Sequence, residues 1–224
     1  MEWSPQDAMN AYLHTLHLAK VLESNFGLST EIIEPKCMEL VSALATGKRA
    51  KLMVEVTTEG ITPLTLALAA AVKQTGGQLM CILVVHSNNE IESKRRGEES
   101  RWFLRRQDLE DAVNFVHCEK PNVCEVIAKL KNVDFAVVDC KFDDCLKLYQ
   151  SIDVNPKDCS VVVHNLQCRK CTVSFDEVVK GRKGVESVTL PIGEGIELTR
   201  IGSSSIRSKS GRRRRRRFLV TFEN

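Results

Sequence analysis

The sequence predicts an α/β protein: a mostly parallel seven-stranded sheet with an antiparallel strand in its C-terminal hairpin and helices on both faces. Three observations predict it. Short, near-continuous apolar runs, at 51–56, 79–85, 134–139 and 160–163, alternate with segments of helical periodicity, the pattern of strands buried on both faces. The last two strand patterns, 186–190 and 195–201, are joined by Pro191-Ile-Gly-Glu194, a hairpin-length connection that makes the pair antiparallel. Finally, the 224 residues are 43% hydrophobic and 27% charged, which excludes wholesale disorder and fibrous repeats and suffices for a sizeable core.

The elements follow in order. Residues 5–25 read as a helix, with Ser4 as N-cap, Pro5 at the first helical position and Asp7 in the first turn. Ala8, Tyr12, Leu16, Ala19 and Leu22 recur at three- and four-residue spacing and are expected to form one buried stripe. A second helix runs from Pro35 to about Leu44 and ends near Gly47. Lys51 to Val56 is a buried strand, Thr57 to Gly60 a turn, and Thr62 opens an apolar helix that stops at Gly76-Gly77. Strands at 79–85, 114–117, 134–139 and 160–163 then alternate with helices expected at 90–108, 123–130, 143–150 and 174–180. Residues 1–201 are expected to form one domain, with N-terminal helices in 1–48. Residues 202–224 form a Ser-rich linker and a basic tail.

The net charge of +3 conceals a split. From Arg200 to Asn224 nine basic residues face one acid, whereas the preceding 199 residues hold 23 bases and 28 acids. The body is mildly acidic and the tail strongly basic, so the overall charge is no argument for nucleic-acid binding by the body. No run of 18 apolar residues occurs, and Met1-Glu-Trp-Ser-Pro5 lacks the basic-then-apolar pattern of a leader. A soluble intracellular protein without membrane contact, cytoplasmic or nuclear, is the expectation. Nine cysteines are scattered, several inside apolar runs (Cys81, Cys140, Cys159), which suits reduced core thiols.

Four segments carry a resemblance: Val54-Glu-Val-Thr-Thr-Glu-Gly-Ile-Thr-Pro-Leu-Thr-Leu-Ala67, Asp134-Phe-Ala-Val-Val-Asp139, Val161-Val-Val-His-Asn165 and Leu190-Pro-Ile-Gly-Glu-Gly-Ile-Glu-Leu198. In that order they resemble the cation-dependent O-methyltransferases of the caffeoyl-CoA and catechol type. The chain as a whole also resembles a plant family of unknown function that shares their fold. The resemblance covers about residues 30–201 and implies the Rossmann-like fold of S-adenosylmethionine-dependent methyltransferases. Fold alone does not establish activity.

The resemblance implies a cofactor loop after the first strand, with Glu55, Thr57, Gly60 and Thr62 as candidate contacts and His86 at the end of the second strand. The loop departs from the family pattern. Thr57 stands in place of the first glycine, and the second strand ends Val84-Val-His-Ser-Asn-Asn89, without the acid that takes both ribose hydroxyls. The family's metal ligands fall on Asp139, His164 and Asn165. An imidazole in place of a carboxylate departs from a magnesium site, and Phe142 falls near the family's lysine, so its base for the substrate hydroxyl is missing or different. The simpler reading has Asp139 capping the following loop and His164 and Asn165 bonding backbone.

Two further features stand outside the resemblance. Cys168-Arg-Lys-Cys171, with Cys159 and His164, invites a zinc reading, but Cys159 and His164 on one strand lie about 16 Å apart at roughly 3.3 Å per residue, too far to share an ion. Arg212, Arg213, Arg214, Arg215, Arg216 and Arg217 form an unbroken polycation, an address for an import receptor's acidic groove or for nucleic-acid phosphates, or else a solvated spacer. Two functions remain open at this point. One is a methyltransferase-fold protein that has lost catalysis and acts by binding. The other is an active O-methyltransferase of a small molecule with altered cofactor and metal loops.

Overall fold

The computed structural model describes residues 3–26, 35–58, 60–85, 98, 101–142, 145–166 and 184–202. The expected helix at 174–180, most of that at 90–108, His86, Cys168, Cys171 and the arginine run lie outside the described residues. The chain forms α1 (Pro5–Phe26), α2 (Pro35–Gly47), β1 (Leu52–Thr57), α3 (Pro63–Thr75), β2 (Gln78–Val85), β3 (Val113–Glu119), α4 (Val123–Lys129), β4 (Phe135–Asp139), α5 (Cys145–Ser151), β5 (Asp158–His164), β6 (Val185–Leu190) and β7 (Ile196–Gly202). Residues 101–106 are also helical.

The seven strands make one sheet in the order β3-β2-β1-β4-β5-β7-β6. Strands β1 to β5 are parallel, and β7 runs antiparallel to both β5 and β6. The hairpin expected at Pro191–Glu194 is present, and its second strand slots between β5 and β6. Alternation along the strands splits the core into two layers. Met53, Cys81, Val137 and Val162 pack with residues of α1, α2 and α3. Val54, Val56, Ala136, Val138, Val161 and Val163 pack with residues of α4 and α5. All seven residues of β5 are buried, whereas β6 at the edge alternates between half-buried and exposed.

At the N-terminal ends of the central strands the sheet is pinned by one carboxylate. Asp134 accepts hydrogen bonds from the backbone of Lys51 (2.8 Å) and Leu52 (3.0 Å) through one oxygen, and from the Asn155 amide (2.7 Å) through the other. Gly77 lies close beneath: a Cβ there would sit 2.5 Å from the Lys51 carbonyl oxygen, a separation no side chain can hold.

Helix α1 begins as expected, with the Ser4 hydroxyl accepting from the Asp7 amide (3.4 Å). Its buried stripe is rotated from the expected one. Ala8, Ala11, Thr15 and Leu18 face inward, while Tyr12 is 37% exposed. Thr15 tolerates burial because its hydroxyl donates to the Ala11 carbonyl (2.8 Å), which satisfies the polar group within the helix.

Candidate functional site

In an open parallel sheet the chain reverses its winding where neighbouring strands feed connections in opposite directions, and a crevice opens at their C-terminal ends. Here that place lies between β1, which leads through α3 to β2, and β4, which leads through α5 to β5. The residues expected from the sequence converge on it. Glu55 lies in the second half of β1 and Thr57 ends it, Gly60 turns the following loop, Thr62 caps α3, Asp139 ends β4, and His164 ends β5 with Asn165 directly after it. Asp139 and His164 are register partners.

The β1–α3 loop is closed by side chains. Glu55 is 2% exposed. Its Oε1 accepts from the Thr62 hydroxyl at 2.6 Å, and its Oε2 from the thiol of Cys81, its register partner on β2, at 3.8 Å. Thr62 and Thr65 complete a reciprocal cap: the Thr62 hydroxyl accepts from the Thr65 amide (3.0 Å), and the Thr65 hydroxyl from the Thr62 amide (2.9 Å). Pro63 opens α3 and has no N–H to offer, and the Leu66 amide bonds the Thr62 carbonyl (3.3 Å). Gly60 takes φ +81°, a conformation that only glycine adopts without strain.

Burial dominates the electrostatics. Desolvation pushes the Glu55 carboxyl up to about 7 from its ordinary 4.5, against the hydrogen bonds from Thr62, Thr65 and Cys81, and the neighbouring Asp139 charge adds to the rise. The Cys81 thiol is itself driven upward by burial and by the Glu55 charge beside it. Near neutral pH the thiol keeps its proton, and Glu55 is the member of the pair that titrates.

On the β4 side, one oxygen of Asp139 accepts from the Lys141 backbone (2.8 Å) and from the Asn165 side-chain amide (2.8 Å). Asp139 thus caps its following loop as expected. Asn165 departs from the expectation: its amide meets the carboxylate of Asp139, from a residue held at φ +59°. The His164 carbonyl accepts from the Cys140 amide (3.0 Å). Cys159 and His164 share β5 but, five residues apart, point to opposite faces of the sheet. Among the described residues, no three of His, Cys, Asp and Glu gather as metal ligands would.

Four partners escaped the sequence reading. Thr65 was legible in principle, since Thr-Pro-Leu-Thr places two hydroxyls at capping-box spacing. Cys81 meets Glu55 through register, which no local pattern records. Cys140 and Cys145 have sulfurs 3.6 Å apart, a contact that their spacing in the sequence does not reveal.

Solved structures share this fold. A methyltransferase from Geobacter sulfurreducens superposes with a TM-score of 0.59 at 18% identity, over 84% of this chain and 88% of that one. A protein described as a candidate caffeoyl-CoA O-methyltransferase from Staphylococcus aureus gives 0.63 at 16%, over 88% and 100%. The O-methyltransferase TomG from Streptomyces achromogenes, involved in tomaymycin synthesis and crystallised with SAM, gives 0.61 at 17%, over 90% and 99%. At these identities the likeness establishes the methyltransferase fold. No curated protein matches the sequence. The whole chain, residues 1–224, matches the family described as "protein of unknown function (DUF1442)", and the protein belongs to that family.

Proposed function

We propose that this protein uses the methyltransferase fold for binding and does not transfer methyl groups. One observation carries the reading: where β1 meets α3, the side chains of Glu55, Thr62 and Thr65 are bonded to one another. Glu55, Thr62 and Thr65 form a closed set, α3 starts with a proline, and the Thr65 and Leu66 amides are taken. A loop that presents donors to S-adenosylmethionine needs them unoccupied, so these residues fit that cofactor poorly. The divalent metal fits poorly too. Two oxygen ligands of one cation both turn lone pairs toward it, whereas Asn165 turns its amide donor onto Asp139.

Isothermal titration of the full chain with S-adenosylmethionine and S-adenosylhomocysteine tests this. No saturable heat is expected. Micromolar affinity for either, abolished by Gly60→Arg, would overturn the inactive reading. The second reading, an S-adenosylmethionine-dependent O-methyltransferase acting on a small molecule, draws support from Glu55 and from the φ +81° turn at Gly60, which keep the loop's outline. Under it the loop would hold the cofactor, magnesium dependence would be poor, and His164→Asp would improve it.

We assign the tail, Arg212 to Arg217, to contact with an external polyanion: an import receptor's acidic groove, which would make the protein nuclear, or nucleic-acid phosphates. Six adjacent arginines with one acid among the last 25 residues cannot be neutralised locally, and burying them would cost several kcal/mol each.

A further inference from the structure

We propose that Cys140 and Cys145 are a redox pair that closes to an intramolecular disulfide and ties the first residue of α5 to the residue that follows β4. Cys140 directly follows β4 and Cys145 opens α5. The Cys140 thiol donates to the Cys145 sulfur at 3.6 Å, and each residue is 2% exposed. Sulfurs already in contact need side-chain rotation and a small backbone adjustment to reach bonding distance, about 2 Å. Contact also raises the effective concentration of the second thiol far above that of any thiol in solution.

The chemistry needs a two-electron oxidant of the peroxide class. One sulfur attacks a peroxide oxygen, the O–O bond breaks, and the cysteine becomes a sulfenic acid as the first water leaves. The second sulfur then attacks the sulfenic sulfur; an S–S bond forms, the S–O bond breaks, and the second water leaves. Two thiols are oxidised and one peroxide is reduced to two waters. Burial slows the first step by disfavouring the thiolate, so the pair withstands a brief mild challenge and responds to a sustained one.

The consequence is mechanical. The Cys140 amide is tied to the His164 carbonyl at the end of β5 (3.0 Å), and Asp139 precedes it. A disulfide would fasten the first residue of α5 to that same anchor, beside the Asp139–Asn165 pair.

The sequence supplies its own assay. Trypsin cleaves after Lys131, Lys141 and Lys147, so the two cysteines fall on separate peptides, 132–141 and 142–147, each with one cysteine. The folded full chain is held in excess hydrogen peroxide, quenched, alkylated and digested without reductant. The expected result is that most of the two peptides is recovered as one crosslinked species. It dissociates with dithiothreitol and is absent from the Cys145→Ala variant. The inference is overturned if the peptides emerge separately, alkylated or as sulfinic acids. It is equally overturned if either is crosslinked to a different cysteine, or if the crosslink forms only in urea-unfolded chain. Unchanged far-ultraviolet circular dichroism of Cys145→Ala confirms that its missing crosslink reports the lost sulfur and not a lost fold.

Discussion

Replacing Glu55 by glutamine should make the protein more stable at alkaline pH while leaving it nearly unchanged in mild acid. The carboxyl is buried beneath α3, and its desolvation outweighs the hydrogen bonds it accepts, so the native state holds its proton up to about 7 while the unfolded chain releases it near 4.5. Between those values the native state binds more protons than the unfolded one, and stability therefore falls as pH rises; below and above the window the contribution is flat. Carrying one carboxyl across that interval costs the native state about 3 kcal/mol once both states are ionised. That is a large share of an ordinary domain's net stability, about 5–15 kcal/mol.

In Glu55→Gln the side-chain carbonyl keeps an acceptor for Thr62, and the ionisation is gone. Urea denaturation of both proteins at several pH values between about 5 and 8 gives the comparison. Other titrating groups are common to the two proteins and cancel in the difference. That difference should be small near pH 5 and should grow to about 3 kcal/mol in favour of the variant by pH 8. A difference that stays constant across the range would refute the argument, because it would mean that Glu55 does not titrate within it.

Further expectations can be checked with the same equipment. Asp134→Ala removes the acceptor for two strand amides and for Asn155, and should lower the urea-derived stability by about 3 kcal/mol. Gly77→Ala places a Cβ against the backbone of Lys51 and should cost about 2–3 kcal/mol, read as a fall in thermal midpoint. Changing Arg212 through Arg217 to Ser should leave the thermal midpoint nearly unchanged while lowering nuclear accumulation and salt-sensitive retention on nucleic acid; an unfolded product with unchanged location would show the segment to be structural.

The sheet was readable because β1, β2, β4 and β5 are buried on both faces, so their side chains form short, nearly continuous apolar runs rich in branched residues. The α1 stripe was misplaced because a hydroxyl that bonds its own helix, Thr15, can be buried, while an amphipathic ring, Tyr12, can lie at the surface. The closing hairpin was legible from its short connection, but the placement of β7 between β5 and β6 is a matter of tertiary pairing. For the candidate site, the positions of Glu55, Gly60, Asp139 and Asn165 followed from where strands end. Their chemistry did not. The acid of a cofactor loop and an acid locked under its own helix cap look the same in sequence, and only Thr62, Thr65 and Cys81 around Glu55 distinguish them.

The insertion of β7 has a consequence for the order of events during synthesis. Domains generally fold as units during synthesis, and the strand that covers β5 is not complete until Gly202. Until then β5, whose seven residues are all buried in the finished protein, presents an unpaired apolar edge of the kind that recruits other chains. About 40 residues separate the two partners, so closing the sheet is a late, long-range step. A chain stalled before residue 202 lacks that cover for β5 and is open to edge-to-edge association.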